Sequence, residues 1–402
     1  MELQRSTPSK TLLNGIENSK PIPIDLVMEI ISRLPVKSIG RCRCVSKLWA
    51  SMLRLPYFTK LFTTRSSARP KILFVYMSAK GRFVFFSSPQ PQNPDENSSS
   101  SVAANYLSRA PYGGPLCHIS DPVHGFVCLT VKDNISTEHI IYNPSTGQAL
   151  TLPKTRMVGV MSFLWYDSVY KKIKVFSMKG DSNHLRQHQV MTLGTQKLEW
   201  RKTKYYIPRR YYHKGICING VLYYRAVHAC TRASIIVCFD FRSEEFSFIE
   251  VGTIFKVPLI CGQYINYNGK LGLLHSNWCD YASGASRSFE LLVIGDFQKQ
   301  EWSTHKYMLP PTWKNMVREV LSFVGFIGTN TIVLSHYSYV IYYNIEKNTI
   351  VKVGIQGLEG FKCSDVFTCL DFVEDLKLGV HPKILKDRYR VLLIASIFFY
   401  PL

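Results

Sequence analysis

The 402-residue sequence predicts two unlike parts: a small all-α module near the N-terminus, then a large all-β domain of repeated four-stranded sheets arranged as a β-propeller. Three observations lead there. Residues 21–63 carry apolar side chains at helical spacing, broken by Leu34-Pro35. From about Lys71 onward, short apolar or aromatic runs alternate with turn chemistry and show almost no helical period. A strand-turn-strand phrase then returns about every fifty residues.

Taken in order, residues 1–20 are polar, with Ser6, Thr7, Ser9, Lys10, Asn14, Asn18 and Ser19, and read as a flexible tail without a signal peptide's apolar region. Asp25 is placed to cap a first helix, on which Leu26, Ile30 and Leu34 fall at i, i+4 and i+8. Pro35 ends that helix by forcing Leu34 out of the helical basin. Ser38 is placed to cap a second helix, along which Ile39, Cys42, Val45, Trp49 and Met52 line one side. A third turn follows Pro56, with Tyr57, Phe58 and Leu61 folding back. So short a segment presents more apolar surface than it can bury alone, so another surface must cover it. Residues 64–70 (TRSSARP) read as a hinge.

Several elements keep their order and spacing here: Ile22-Pro23, Leu26, Glu29-Ile30, Arg33-Leu34-Pro35, Lys37-Ser38, Cys44-Val45-Ser46-Lys47 and Trp49. In this the segment resembles the F-box, the adaptor-binding motif of Skp-cullin-F-box (SCF) ubiquitin ligases. The resemblance implies that Pro23, Leu26, Ile30, Leu34, Pro35, Val36, Ile39, Val45 and Trp49 face a Skp-family adaptor and, through it, a cullin and a RING subunit. Arg33, Lys37, Arg41, Arg43, Lys47 and Arg54 would suit an acidic partner, or simply form a solvated face.

The β-domain is expected over residues 71–380. One of its units is an Asx or Gly turn followed by an apolar strand: His124-Gly125, Asn219-Gly220, Asn268-Gly269 and Gly328-Thr329-Asn330 each precede one. Asn-Gly suits a tight hairpin because the turn demands positive φ at both central residues. A second unit is an apolar run, a polar turn and a returning strand, with turn-entry residues Asn143, Gly194, Asp240, Asp296 and Asn344. Their separations of 51, 46, 56 and 48 residues are those of a kelch-like propeller blade. Five modules are visible, and Ile72 to Phe86 supplies or completes another.

The phrases Asn143-Pro144-Ser145-Thr146-Gly147, Leu152-Pro153, Tyr166-Asp167 to Lys174-Val175, Gly215 to Tyr224 and Phe239 to Glu244 also resemble the plant F-box-associated domain. That resemblance implies a substrate-binding propeller behind the F-box. Residues 89–101 (PQPQNPDENSSSS) read as a disordered loop. The apolar end, residues 381–402, departs from the pattern. Its run Val391 to Leu402 is shorter than the ~20 residues that span a bilayer, so a closing strand or a packed tail rather than a membrane anchor is expected.

The net charge of +21 is uneven. Residues 151–215 hold fourteen Lys and Arg against three acids, whereas residues 66–150 hold six against five. Within Lys197 to Lys214 the cations alternate with Trp200, Tyr205, Tyr206, Tyr211 and Tyr212, an interleaving able to bind phosphates while stacking rings or peptide planes. Arg209, Arg210, His213 and Lys214 are expected in a loop on a propeller end face, facing an acidic or phosphorylated protein segment. A basic returning strand with packed aromatics would read the same way.

Catalysis by this chain is not expected. Eleven scattered cysteines without a framework fit a reduced compartment, and no Cys-x-x-Cys occurs. A reactive thiol needs a neighbouring base or cation; Cys42 and Cys44 sit beside Arg41 and Arg43, but helix packing and the F-box pattern account for them. His184 and His188 stand four apart in a stretch that reads as a loop, so no metal and no cofactor is expected. The resulting expectation is a non-catalytic substrate receptor, in the nucleus or cytoplasm, that binds a protein target, with neither nucleic acid nor a membrane as its partner. The reading kept beside it is a nucleic-acid- or phosphate-binding propeller acting through residues 171–214. A propeller oxidase is a third, and predicts bound copper or flavin.

Overall fold

The computed structural model describes residues 22–376 apart from 79–81, 92–100, 114–115, 133–135, 156–159, 180–187, 204–208, 229–233, 251–261, 278, 297–300 and 359–365. The expected tail 1–20, most of the serine-rich loop, His184 and the apolar C-terminus 381–402 lie outside the described residues. The chain divides into two units, Met1–Arg65 and Ser66–Leu402.

The first unit is helical: α1 (Ile24–Ile31), α2 (Val36–Cys42), α3 (Lys47–Met52) and α4 (Pro56–Ser67). Pro23 and Pro35, not Asp25 and Ser38, occupy the positions before α1 and α2. A proline with φ near −60° is already shaped for entering a helix, so each helix starts directly behind one. The expected long second helix is two, because Ser46 begins a new one by accepting the Trp49 amide on its hydroxyl at 3.2 Å. Residues 64–67, expected as hinge, are the last turn of α4, since no helix breaker intervenes before Pro70. Met28, Ile31, Val36, Ile39, Met52, Leu53, Phe58 and Phe62 are buried, spread over all four helices and the α3–α4 turn.

The second unit is a six-bladed β-propeller. Blade 1 holds β1 (Lys71–Met77), β2 (Arg82–Pro89) and, after the short β3 (Ser101–Ala103), β4 (Asn105–Gly113). Blade 2 is β5 (Leu116–Ile119), β6 (Val127–Lys132), β7 (Thr137–Asn143) and β8 (Gln148–Thr151). Blade 3 is β9 (Val160–Asp167), β10 (Lys172–Lys179), β11 (His188–Thr192) and β12 (Arg201–Lys202). Blade 4 is β13 (Arg209–Ile218), β14 (Val221–His228), β15 (Ser234–Asp240) and β16 (Phe246–Glu250). Blade 5 comprises β17 (Gln263–Tyr267), β18 (Lys270–His275), β20 (Ser288–Asp296) and β21 (Glu301–Met308); between its middle strands β19 (Tyr281–Ala282) leaves to pair with the next blade. After α5 (Trp313–Met316), blade 6 is β22 (Leu321–Ile327), β23 (Thr331–Ser335), β24 (Tyr339–Asn344) and β25 (Thr349–Gln356).

The last described strand, β26 (Val366–Phe372), pairs antiparallel with β1 as the innermost strand of blade 1, with Leu73 opposite Cys369. The ring is therefore closed by segments almost three hundred residues apart. Gln90 and Asp371 fasten the closure with two 2.8 Å hydrogen bonds, and Lys71 meets Glu374 at 2.8 Å. The outer edge of blade 6 is clasped from blade 1, where β3 runs parallel to β25.

Successive blades share their cores. Ile235, Val237 and Phe239 of β15 pack against blade 3, whereas Ile236 and Cys238 pack against blade 5. A middle strand buried on both faces cannot alternate apolar with polar, which is why these strands are continuous apolar runs. The turns are built as the sequence suggests: φ is +51° and +89° at Asn219-Gly220 and +51° and +77° at Asn268-Gly269. The Asn143, Asp240 and Asn344 side chains each accept two amides of the turn they begin.

Candidate functional site

The helical unit completes its own core and still leaves apolar side chains in water. On α1 the buried positions are Met28 and Ile31, so the i, i+4 pair Leu26 and Ile30 is the outward face. Ile30 is 58 % exposed and Val45, in the α2–α3 turn, is 67 % exposed. Pro23 and Pro35 are exposed, and Leu34 and Trp49 are half-buried. Two residues of the expected adaptor face stand apart from these: Ile39 is 0 % exposed and Val36 is also buried, because α2 turns that side inward. Sequence reasoning passed over Ile24 and Leu48, which are exposed as well, and Tyr57, expected to fold back, is exposed instead. The three-residue step from Val45 to Leu48 was the available signal.

Hydrogen bonds set this face. Glu29 pairs with Arg65 of α4 and lies 3.7 Å from Arg33, which ties α1 across the unit. Arg43 donates to the Leu53 carbonyl at 3.0 Å and joins α2 to the end of α3. Burial, then repulsion from Arg41, holds the Lys37 ammonium below its ordinary range.

In the propeller, Arg209, Arg210, His213 and Lys214 belong to β13, the innermost strand of blade 4, and not to a loop. Arg209 is opposite His228 and Arg210 opposite Val227, and the register shifts between Tyr212 and Ile216. Tyrosines favour extended backbone and a bulge absorbs the extra residues, so the strand begins earlier than its polar content suggested. The side chains of these four lie outside the described residues. Elsewhere in the basic string, Trp200 donates to the Pro153 carbonyl at 2.8 Å and packs on His139, which is a structural role. Arg201 and Lys174 both converge on Glu244. Burial would raise the Glu244 carboxyl, but hydrogen bonds from Arg201 and Lys174 outweigh it and hold the group below its ordinary range.

The described residues offer little to bond-making chemistry. Burial pushes the thiols of Cys128, Cys217 and Cys238 up to about 12, which keeps them protonated and poor nucleophiles at neutral pH. His188 is buried at the start of β11, stacked on Phe176. Among the described residues no three His, Cys, Asp or Glu stand together as a metal site, and no helix is long and apolar enough to cross a membrane.

Comparison with known proteins follows the same division. The F-box domain profile matches residues 22–61 and that of the F-box associated beta propeller domain matches residues 71–373. The chain is 47 % identical over 389 residues to F-box protein DOR of Arabidopsis thaliana, covering 93 % of this chain and 98 % of that one. It is 45 % identical over 385 residues to F-box protein At5g65850 of the same plant, covering 93 % and 95 %. Among solved structures, TolB from Acinetobacter baumannii is similar at 8 % identity and a TM-score of 0.38, over 75 % of this chain and 66 % of that one.

Proposed function

Since the chain belongs to the F-box proteins that carry an F-box associated β-propeller, we propose that it is the substrate-receptor subunit of an SCF ubiquitin ligase. The F-box takes the Skp-family adaptor, which brings the cullin and RING subunits, and the propeller holds a target protein. The observation that carries this reading is the pairing of a finished helical core with bare Leu26, Ile30 and Val45. A module that small has no reason to keep three large apolar side chains in water unless another polypeptide covers them.

In this reading the docking residues are Pro23, Leu26, Ile30, Leu34, Pro35, Val45 and Trp49, while Val36 and Ile39 support them from beneath. The chain itself makes and breaks no bonds. It raises the local concentration of a target lysine beside a ubiquitin thioester held by other subunits, a proximity effect. The complex works in the nucleus or cytoplasm.

The test is capture of a Skp-family adaptor by the full chain, with Ile30→Asp and Trp49→Ala beside the wild type. Loss of an interface anchor is worth ~2 kcal/mol or more, a roughly thirty-fold weaker complex. Equal capture by all three proteins would remove the reading.

A further inference from the structure

The receptor reading uses none of the fourteen cations between residues 151 and 215. Several of those that are described stand together at one end of the propeller, joined by an arginine of the next blade. The first hairpin of blade 3 ends in a tip built on buried Asp167, whose carboxylate accepts the amides of Val169 at 2.9 Å and Tyr170 at 3.2 Å. Lys171 then takes the left-handed conformation at φ +52°. The tip so held projects Val169 and Tyr170, 65 % and 70 % exposed, with Lys171 exposed beside them and Lys172 half-buried. Such presentation is preorganised, because the turn is set by hydrogen bonds to the buried Asp167 before any partner arrives.

Blade 4 places a second tip alongside. Asp240 accepts the Arg242 and Ser243 amides at 2.7 and 2.9 Å, leaving the Arg242 side chain exposed. Three contacts fasten the tips together. Trp165, two residues before Asp167, stacks on Phe241; Lys174 donates to the Phe241 carbonyl at 2.7 Å; and Arg201 reaches Glu244 at 2.9 Å. At ~3.3 Å per strand residue, the blade 3 tip lies within roughly 10 Å of that junction. Among the described residues no acid pairs with Lys171, Lys172 or Arg242.

We infer that this end of blades 3 and 4 docks an acidic segment of the target protein, with carboxylates against Lys171, Lys172 and Arg242 and an apolar side chain between them against Val169 and Tyr170. The inference rests on the receptor reading and names the chemistry of its target. Charge complementarity selects the occupant, and the apolar tip selects its class. Affinity for a nucleic-acid backbone grows with the number of phosphates that cations neutralise; here Glu244 already pairs with Lys174 and Arg201, and Glu199 and Glu245 are exposed close by in the sequence. A polypeptide can set carboxylates opposite the free cations only and give Val169, which has no ring to stack a base, an apolar partner.

The experiment measures fluorescence anisotropy of the full chain with three labelled probes: a peptide of repeated Glu-Glu-Leu, its Lys-Lys-Leu counterpart, and oligothymidylate of equal charge. The acidic peptide should bind, its affinity should fall with salt, and the double variant Lys171→Glu, Lys172→Glu should weaken it about tenfold or more. Tyr170→Ser should weaken it by a smaller factor without changing the salt slope, which gives a second readout if the charge reversal disturbs folding. Arg318→Glu, in the segment leading into the start of β22 at the other end of the propeller, should leave it unchanged. The proposal fails if the wild type ignores the acidic peptide, if all three variants bind alike, if Arg318→Glu weakens binding as much as the double variant, or if oligothymidylate binds more tightly through the same lysines. Adaptor capture by the same preparation separates the two readings: its loss counts against the receptor, whereas its retention without peptide binding counts against this surface alone.

Discussion

Trp165 of blade 3 stacks on Phe241 of blade 4 with ring centroids 5.5 Å apart and planes 24° from parallel. Phe241 is fully buried, and Gly220, at φ +89°, leaves room for the indole: a Cβ there would stand 3.2 Å from the Trp165 Nε1. Phe241→Ala should therefore destabilise the propeller by about 3–5 kcal/mol, through lost burial and the cavity left behind. Guanidinium unfolding followed by tryptophan fluorescence measures it; a cost below ~1 kcal/mol would mean the junction does not hold the two blades.

His139 gives the propeller an acid limit. It is buried between blades 2 and 3 with Nε2 2.9 Å from the Ser177 hydroxyl, and burial pushes its pKa down to about 4. The unfolded chain takes up this proton near pH 6.5, so the stability is complete above that value and drains away as the pH falls toward 4. At ~1.4 kcal/mol per pH unit the loss from this one group is at most about 3 kcal/mol. Denaturant midpoints of the wild type and His139→Gln between pH 7.5 and 4.5 should converge on acidification; parallel curves would remove His139 as the cause.

Ile39 and Ile30 should respond oppositely. Ile39→Ala empties a fully buried site and should cost about 2–5 kcal/mol in melting of the helical unit. Ile30→Ala, on the exposed face, should change stability by no more than ~0.5 kcal/mol while weakening adaptor capture. Circular dichroism melts beside adaptor titrations separate them, and equal loss of stability in both would place Ile30 in the core.

The thiols divide by burial. Iodoacetamide at neutral pH should label exposed Cys44 readily and leave Cys128 and Cys238 unmodified until the chain is unfolded. Peptide mass spectrometry reads the order; rapid native labelling of Cys238 would contradict the closed junction between blades 4 and 5.

Much of this was legible before the fold. Asn219-Gly220 and Asn268-Gly269 sit where positive φ is required, and Asn143, Asp240 and Asn344 each fold their own turn, because such preferences act over three or four residues. The helical spacing of Leu26 and Ile30 was equally plain, but spacing cannot say which apolar stripe faces inward. Met28 and Ile31 took the core, and the stripe of Leu26 and Ile30 was left exposed. Arg209, Arg210, His213 and Lys214 read as loop in the sequence but lie on a strand, because a polar strand and a polar loop look alike until a neighbouring strand supplies the register.

By itself, then, the sequence determined the local pieces: two kinds of unit, where strands turn, and which short motif opens the chain. Tertiary structure alone decided that there are six blades, that β26 closes the first of them, and that Val169, Tyr170, Lys171 and Arg242 share one end of the ring. Turn chemistry is a property of a few adjacent backbone dihedrals. Closure and burial are set by contacts between residues far apart in the chain, whose loop entropy is recovered only when the whole ring forms.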